Sequence, residues 1–270
     1  MKNAGITGST RIGGLIGRGI SHSLSPLIHN TAARLLGLDV VYVPFDFAVP
    51  PSAEFFNQML ESNCYGFNIT VPYKETVGRL FPEGPQSCNT LASQNGQWKS
   101  ASTDADGFFR GLSEIDTDVF DFNAVICLGY GGAAKALIAS LYLQRPDLPL
   151  FVLCRGEHEK ALESLVFGKF EPPVLTALIQ THPNALVIQC TSAPLRGDNL
   201  EQFTLAGLEG VFVDLVYGTP SAMLDQAKAM DLPCQDGIPM LIHQALVSQQ
   251  LWWGQAASFS DMKAAILRQS

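Results

Sequence analysis

The run AVICLGYGGAAKALIASLYLQ (124–144) places a wholly apolar segment, a glycine-rich turn and a long helical stretch in direct succession. A strand that is apolar on both faces must be covered on both faces, which is the condition of strands in a parallel sheet. Further apolar runs follow at LPLFVLC (148–154), ALVIQC (185–190) and VFVDLVY (211–217). Helical patterns lie among them at EHEKALESLV (157–166) and PSAMLDQAKAM (220–230). Alternating apolar strands and helices predict an α/β domain with helices on both sides of a parallel sheet.

The first hundred residues alternate as well, with a different texture. IGGLIG (12–17), VVYVPFDF (40–47) and GFNITV (66–71) read as strands, the last ending at Pro72. SPLIHNTAARLLGL (25–38) reads as a helix opened by Ser25 and Pro26 and closed by Gly37. SAEFFNQMLES (52–62) is helical by its period, and NTLASQNGQWKS (89–100) is a hairpin turning at Asn95-Gly96. A helix begins at DADGFFRGLSEI (104–115), and PMLIHQALVSQQLWWGQAA (239–257) is one long apolar helix with no strand after it.

The 270 residues are 47% hydrophobic and 16% charged, enough apolar material for a large core. The formal net charge of −8 argues against gripping nucleic acid or an anionic membrane by bulk electrostatics, so no nucleic acid and no membrane partner is expected. Any anionic ligand must be held by a few local groups. No run approaches the ~20 apolar residues of a membrane span, and the start MKNAGITGSTRIGG lacks the pattern of a secretory signal. The six cysteines lie at least 24 residues apart with no CxxC, which reads as reduced core thiols in a cytoplasmic protein. The five histidines show no HExxH or HxH spacing, so no metal is expected.

In the glycine turn, Gly129 permits a tight bend, Gly131 and Gly132 let backbone N–H groups approach a pyrophosphate, and Ala133 and Ala134 allow close helix–strand packing. A plain strand–helix turn uses glycines too, but the βαβ setting favours a dinucleotide. Sites for NAD commonly carry an acidic residue after the second strand. Here Arg155 follows FVLC, with His158 and Lys160 beyond it. Cations suit the 2′-phosphate of NADP, although a solvated helix start would also carry them, and Glu157 and Glu159 share the segment. NADP is expected over NAD.

Polar groups gather in the first half. Ser23 and Ser25 precede a helix, where capping alone would account for them. Asn68 and Thr70 share one strand face, and Lys74 follows just past its end. Asn89 and Thr90 lie in CNT, and Thr103 and Asp104 open a helix. Singly, each has a structural explanation. Together, one lysine and one aspartate among hydroxyls and amides suit a polyol bearing a carboxylate, with Lys74 and Asp104 as an acid–base pair.

The motifs SHSLSPLIHN, GFNITVPYK, CNTL, TDADGF, GYGGAAKA, VFVDLVY and QDGIPMLIHQ occur in the order and spacing of shikimate dehydrogenases, and the chain resembles that family over nearly its whole length. The resemblance implies an N-terminal α/β substrate domain (1–105, completed by the C-terminal helix 238–270) and a Rossmann-type doubly wound NADP-binding domain (106–237). It implies a substrate carboxylate bound by Ser23, Ser25 and Tyr217, further substrate contacts from Asn68, Thr70, Asn89 and Gln244, and catalysis by Lys74 with Asp104. On the cofactor side it implies Gly129, Gly131, Gly132 and Ala133 at the phosphates, Arg155 at the 2′-phosphate, and Thr191, Ser192 and Gly237.

Departures from the family pattern are Gly19 for a proline, Ser100 for a glycine, Ser102 for an asparagine, and Cys154-Arg155-Gly156 for Asn-Arg-Thr. The implied reaction is reversible NADP-dependent reduction of 3-dehydroshikimate to shikimate, by a monomer or homodimer. Competing readings are a quinate or quinate/shikimate dehydrogenase using NAD(P), and a non-catalytic metabolite sensor. Intact Lys74, Asp104 and glycine turn speak against the sensor.

Overall fold

The computed structural model describes residues 5–156 and 165–268. The chain divides into two compact units, Met1–Gly107 with Leu241–Ser270, and Phe108–Met240. In chain order the first contains β1 (Arg11–Gly17), α1 (Ser25–Leu35), β2 (Val40–Asp46), α2 (Ala53–Glu61), β3 (Cys64–Ile69), α3 (Lys74–Gly78), β4 (Thr90–Gln94) and β5 (Gln97–Ala101). Helix α4 (Asp104–Leu112) leads into the second unit.

The sheet of the first unit runs β2-β1-β3-β4-β5, with β2, β1 and β3 parallel and the β4–β5 hairpin antiparallel. The hairpin turns at Asn95 and Gly96, with φ of 52° and 73°, the left-handed pair a two-residue turn requires. Central strand β1 is built around glycine because its neighbours are bulky. A Cβ on Gly13 would lie 2.3 Å from the Tyr65 ring, and one on Gly14 would lie 2.1 Å from the Val43 carbonyl. One side of the unit is packed by Ile16, Phe56, Phe67, Tyr73 and Leu91, and another cluster joins Leu15, Tyr42 and Tyr65 to Trp252 of the C-terminal segment.

The second unit holds β6 (Ala124–Leu128), α5 (Gly132–Gln144), β7 (Leu150–Cys154), β8 (Leu165–Lys169), α6 (Pro172–Thr181), β9 (Ala185–Gln189), β10 (Val211–Asp214), α7 (Ala222–Ala229) and β11 (Cys234–Gln235). Its six strands are all parallel, in the order β11-β10-β9-β6-β7-β8. Counted within the unit this is 6-5-4-1-2-3, the doubly wound dinucleotide-binding arrangement, whose chain reverses direction between β6 and β9. Helices α8 (Ile238–Trp253) and α9 (Phe259–Leu267) complete the chain.

Several expectations need correction. Residues 157–164 of the helix expected at EHEKALESLV lie outside the described residues, and Leu165 and Val166 belong to strand β8, paired with Leu150 and Phe151 of β7. A free edge on β7 outweighs the weak helical pattern there. Helix α6, opened by Pro172, was not anticipated. The C-terminal segment is two helices: Gly254 takes φ 68°, and Ser258 caps α9. Strand β3 stops at Ile69 and β10 at Asp214, short of the expected ends, and Lys74 starts a helical turn of its own. Among the described residues no helix is long and apolar enough to cross a membrane.

Candidate active site

Strand β3 ends at Ile69, and the chain bends through the cis Val71–Pro72 bond into α3, whose first residue is Lys74. Asp104 is the first residue of α4. The turn and the helix start bring Lys74 Nζ to 2.6 Å from Asp104 Oδ2, with side chains 14% and 7% exposed. The second carboxylate oxygen is also engaged: Asn89 Nδ2 donates to Oδ1 at 2.8 Å. Asn89 is fixed in turn, because its Oδ1 accepts the Thr103 backbone N–H at 2.8 Å. That backbone donor settles which end of the amide faces Asp104.

Behind this pair lies a buried polar network. Asn68 Nδ2 donates toward Asn89 O (3.2 Å), Thr90 Oγ1 (3.1 Å) and Ser248 Oγ (3.1 Å), while its Oδ1 accepts from Tyr42 Oη at 2.8 Å. Thr90 Oγ1 donates to Asn89 Oδ1 at 3.1 Å and contacts Ser248 Oγ at 3.0 Å. Gln244, one turn before Ser248 on α8, accepts from Thr103 Oγ1 at 3.4 Å. Asn68, Lys74, Asn89, Asp104 and Gln244 are thus brought together in one unit. Tyr42 and Ser248 escaped the sequence reading. The signal for Ser248 was its i+4 spacing from Gln244, which puts both on one helix face.

Ser23 and Ser25 stand with their hydroxyls 3.2 Å apart, and Ser23 Oγ accepts the Ser25 N–H at 3.2 Å. The N-cap position of α1 is Leu24, with no side-chain cap, so the capping explanation covers little of this pair. Thr70 lies just past the end of β3 and is half-buried. Ser102 Oγ, where the family pattern has asparagine, is buried without a hydrogen-bond partner.

His29, on α1, is fully buried and stacked on Tyr42 with ring centroids 4.4 Å apart; Trp252 lies at 4.9 Å. Burial holds its imidazole down at about 3, opposed by the nearby Asn68 amide. Asn68 makes no well-formed hydrogen bond to the ring, and both ring nitrogens are unpartnered.

In the second unit the glycine turn joins β6 to α5. Gly129 takes φ 103°, and a Cβ there would lie 2.7 Å from Thr191 Cγ2, so the turn passes close against the loop after β9. Gly131 is the N-cap of α5 with no side-chain cap, and a Cβ on it would meet nothing within 4 Å. That open space, with Gly132 and Ala133 in the uncapped first turn, leaves helix N–H groups able to receive phosphate oxygens.

Arg155 is exposed immediately after β7; His158, Lys160, Glu157 and Glu159 lie outside the described residues. Thr191 Oγ1 accepts the Ala193 N–H at 3.2 Å, and Arg196 donates to Ser192 Oγ. Gly237 packs against Leu215 O and the Tyr217 ring, so Tyr217 belongs to the second unit while Ser23 and Ser25 belong to the first. Buried Asp214, which sequence reasoning missed, secures this region. It accepts from Ser221 Oγ (2.6 Å), the Val216 N–H (2.9 Å) and Gln189 Nε2 (3.2 Å), and burial raises its carboxyl above the usual range.

All six cysteines are free, and burial pushes the Cys64 thiol up to about 12 and Cys88 to about 11. No group of three or more metal-ligating side chains occurs among the described residues.

Residues 15–95 match the shikimate dehydrogenase substrate binding domain. The NADP-dependent shikimate dehydrogenase of Citrifermentans bemidjiense is 32% identical over 97% of this chain and 96% of its own. The crystal structure of shikimate dehydrogenase from Aquifex aeolicus is 25% identical, with a TM-score of 0.81 over 97% of this chain and 99% of that one. That of Thermus thermophilus shikimate 5-dehydrogenase in complex with NADP(H) and shikimate is 26% identical, with a TM-score of 0.71 over 96% and 99%. A full-length match of this extent, on a chain whose two units carry a lysine–aspartate pair and a dinucleotide turn, places the protein in the shikimate dehydrogenase family.

Proposed function

We propose that this protein is an NADP-dependent oxidoreductase that reversibly reduces 3-dehydroshikimate to shikimate. The Lys74–Asp104 contact of 2.6 Å, with Asn89 on the other carboxylate oxygen, is the observation that carries the reading. An ammonium held by a carboxylate beside a buried polar network is equipped to protonate a developing alkoxide and to take the proton back in reverse. Lys74 performs that transfer at the substrate oxygen being reduced. Asp104 holds the ammonium in place and accepts from a substrate hydroxyl. Ser23 and Ser25 bind the substrate carboxylate; Thr70, Asn89 and Gln244 orient its hydroxyls, with Asn68 held behind Asn89.

The residues of the second unit fit a dinucleotide: Gly129, Gly131, Gly132 and Ala133 receive the pyrophosphate, Arg155 the 2′-phosphate, and Thr191, Ser192 and Gly237 the remainder. When bound, NADPH supplies the hydride. We assign substrate binding to residues 1–105 with 238–270 and cofactor binding to 106–237. Six free thiols support a cytoplasmic setting.

The test is a panel of shikimate and quinate against NADP⁺ and NAD⁺, read by absorbance of the reduced nicotinamide. Shikimate with NADP⁺ should give the highest kcat/KM. A preference for quinate or NAD⁺ would move the protein to a sister activity, and inactivity with all four pairs would overturn the enzymatic reading.

A further inference from the structure

The Lys74–Asp104 pair is only as well placed as the groups behind it. Lys74 takes one oxygen of Asp104 and Asn89 takes the other, so a loosened Asn89 frees the carboxylate to turn away from the ammonium. Asn89 is itself one end of a set of buried groups drawn from three elements: Asn68 on β3, Thr90 on β4 and Ser248 on α8. Thr90 and Ser248 are both fully buried, at a place where β3, β4 and α8 already pack through Tyr65, Ala92 and Trp252. Packing alone would favour apolar side chains at both positions.

The two hydroxyls bond to the Asn68 amide, and Thr90 also to that of Asn89. The Asn68 amide has two protons, and Thr90 Oγ1, Ser248 Oγ and Asn89 O surround it as acceptors. Ser248 has one proton, within reach of Gln244 O (3.1 Å) and Thr90 Oγ1 (3.0 Å). The Thr90 proton is directed at Asn89 Oδ1 at 3.1 Å. The amide of Asn68 is therefore occupied inside the protein, and Thr90 links it to the amide that holds Asp104. Ser248 ties the same set to α8, which also carries Gln244.

We propose that Thr90 and Ser248 are positioning residues for the reaction, fixing through Asn68 and Asn89 the carboxylate that pairs with Lys74. The proposal rests on the oxidoreductase reading above. Their effect falls on turnover more than on affinity: Ser23, Ser25 and Thr70 make no hydrogen bond to either hydroxyl, whereas the carboxylate that pairs with Lys74 depends on the network.

The experiment compares Thr90→Val, Thr90→Ser, Ser248→Ala and the Thr90→Val/Ser248→Ala double variant with the unsubstituted enzyme. The readouts are kcat, KM for shikimate at saturating NADP⁺, and thermal unfolding. Loss of one well-placed hydrogen bond in the relay should lower kcat of Thr90→Val about tenfold and of Ser248→Ala about threefold, with KM rising by a smaller factor than kcat falls. Thr90→Ser, which keeps the hydroxyl, should recover most of kcat. The double variant should be no slower than Thr90→Val, since the two hydroxyls act as one unit. Folded variants with intact kcat and only a lowered Tm would overturn the proposal, as would a loss carried by KM or multiplicative losses in the double variant. Ser248→Ala decides the matter alone if Thr90→Val does not fold. Inactivity of the unsubstituted enzyme would instead overturn the oxidoreductase reading, and the positioning role with it.

Discussion

Asp104 is held from both sides: Lys74 donates to Oδ2 at 2.6 Å and Asn89 to Oδ1 at 2.8 Å, leaving the carboxylate little freedom to turn. The pair brings together residues 30 positions apart at a strand-end turn and a helix start. If Lys74 moves the proton, Lys74→Ala should lower kcat by on the order of 10²-fold or more while substrate binding weakens far less. Asp104→Ala should damage both kcat and KM. Near-normal turnover in Lys74→Ala would remove the lysine from the chemistry.

The cofactor side is testable at Arg155. Its guanidinium stands exposed after β7, and only NADP⁺ offers it a 2′-phosphate. A charge-assisted hydrogen bond contributes about 1.5–3 kcal/mol, so Arg155→Ala should weaken NADP⁺ binding about tenfold to a hundredfold. NAD⁺ affinity should hardly change. Calorimetric titration with both cofactors decides it; equal losses would point to stacking or folding instead.

Ser23 and Ser25 present neighbouring hydroxyls at the start of α1 without occupying its N-cap. The double alanine variant should raise KM for shikimate at least about tenfold, since two hydrogen bonds to a charged group are removed. Binding of NADP⁺, assigned to the other unit, should stay as it was. An unchanged KM in a folded double variant would confine these serines to a local role.

His29 predicts a pH dependence of stability. Its imidazole is held neutral by burial, at about 3 in the folded protein against 6.5 when free. The unfolded chain therefore binds the proton more readily, and stability from this group is full above 6.5 and falls as pH drops toward 3. At pH 5 the loss is roughly 2 kcal/mol from this residue. Comparing denaturant unfolding of His29→Phe and the unsubstituted protein at pH 8 and pH 5 isolates it. The variant should lose less stability on acidification; equal losses would show that other groups govern the acid response.

Local chemistry determined much of this protein. Glycines between an apolar strand and a helix, β-branched and aromatic runs, and Asn95-Gly96 act within a few residues of themselves, so the turn at Gly129–Gly132, most strands and the hairpin were legible from the chain alone. Lys74 and Asp104 stood out because they lie among the hydroxyl and amide side chains of Asn68, Thr70, Asn89, Thr90 and Thr103 in an otherwise apolar sequence. Only the tertiary structure decided that LVFGK is strand β8, because its stability comes from pairing with β7 rather than from its own pattern. It also decided the break at Gly254 and the meeting of Thr90 with Ser248 across 158 residues. A buried hydroxyl's partner is chosen by which elements pack together, and that choice is settled by the whole core, not by any neighbourhood of sequence.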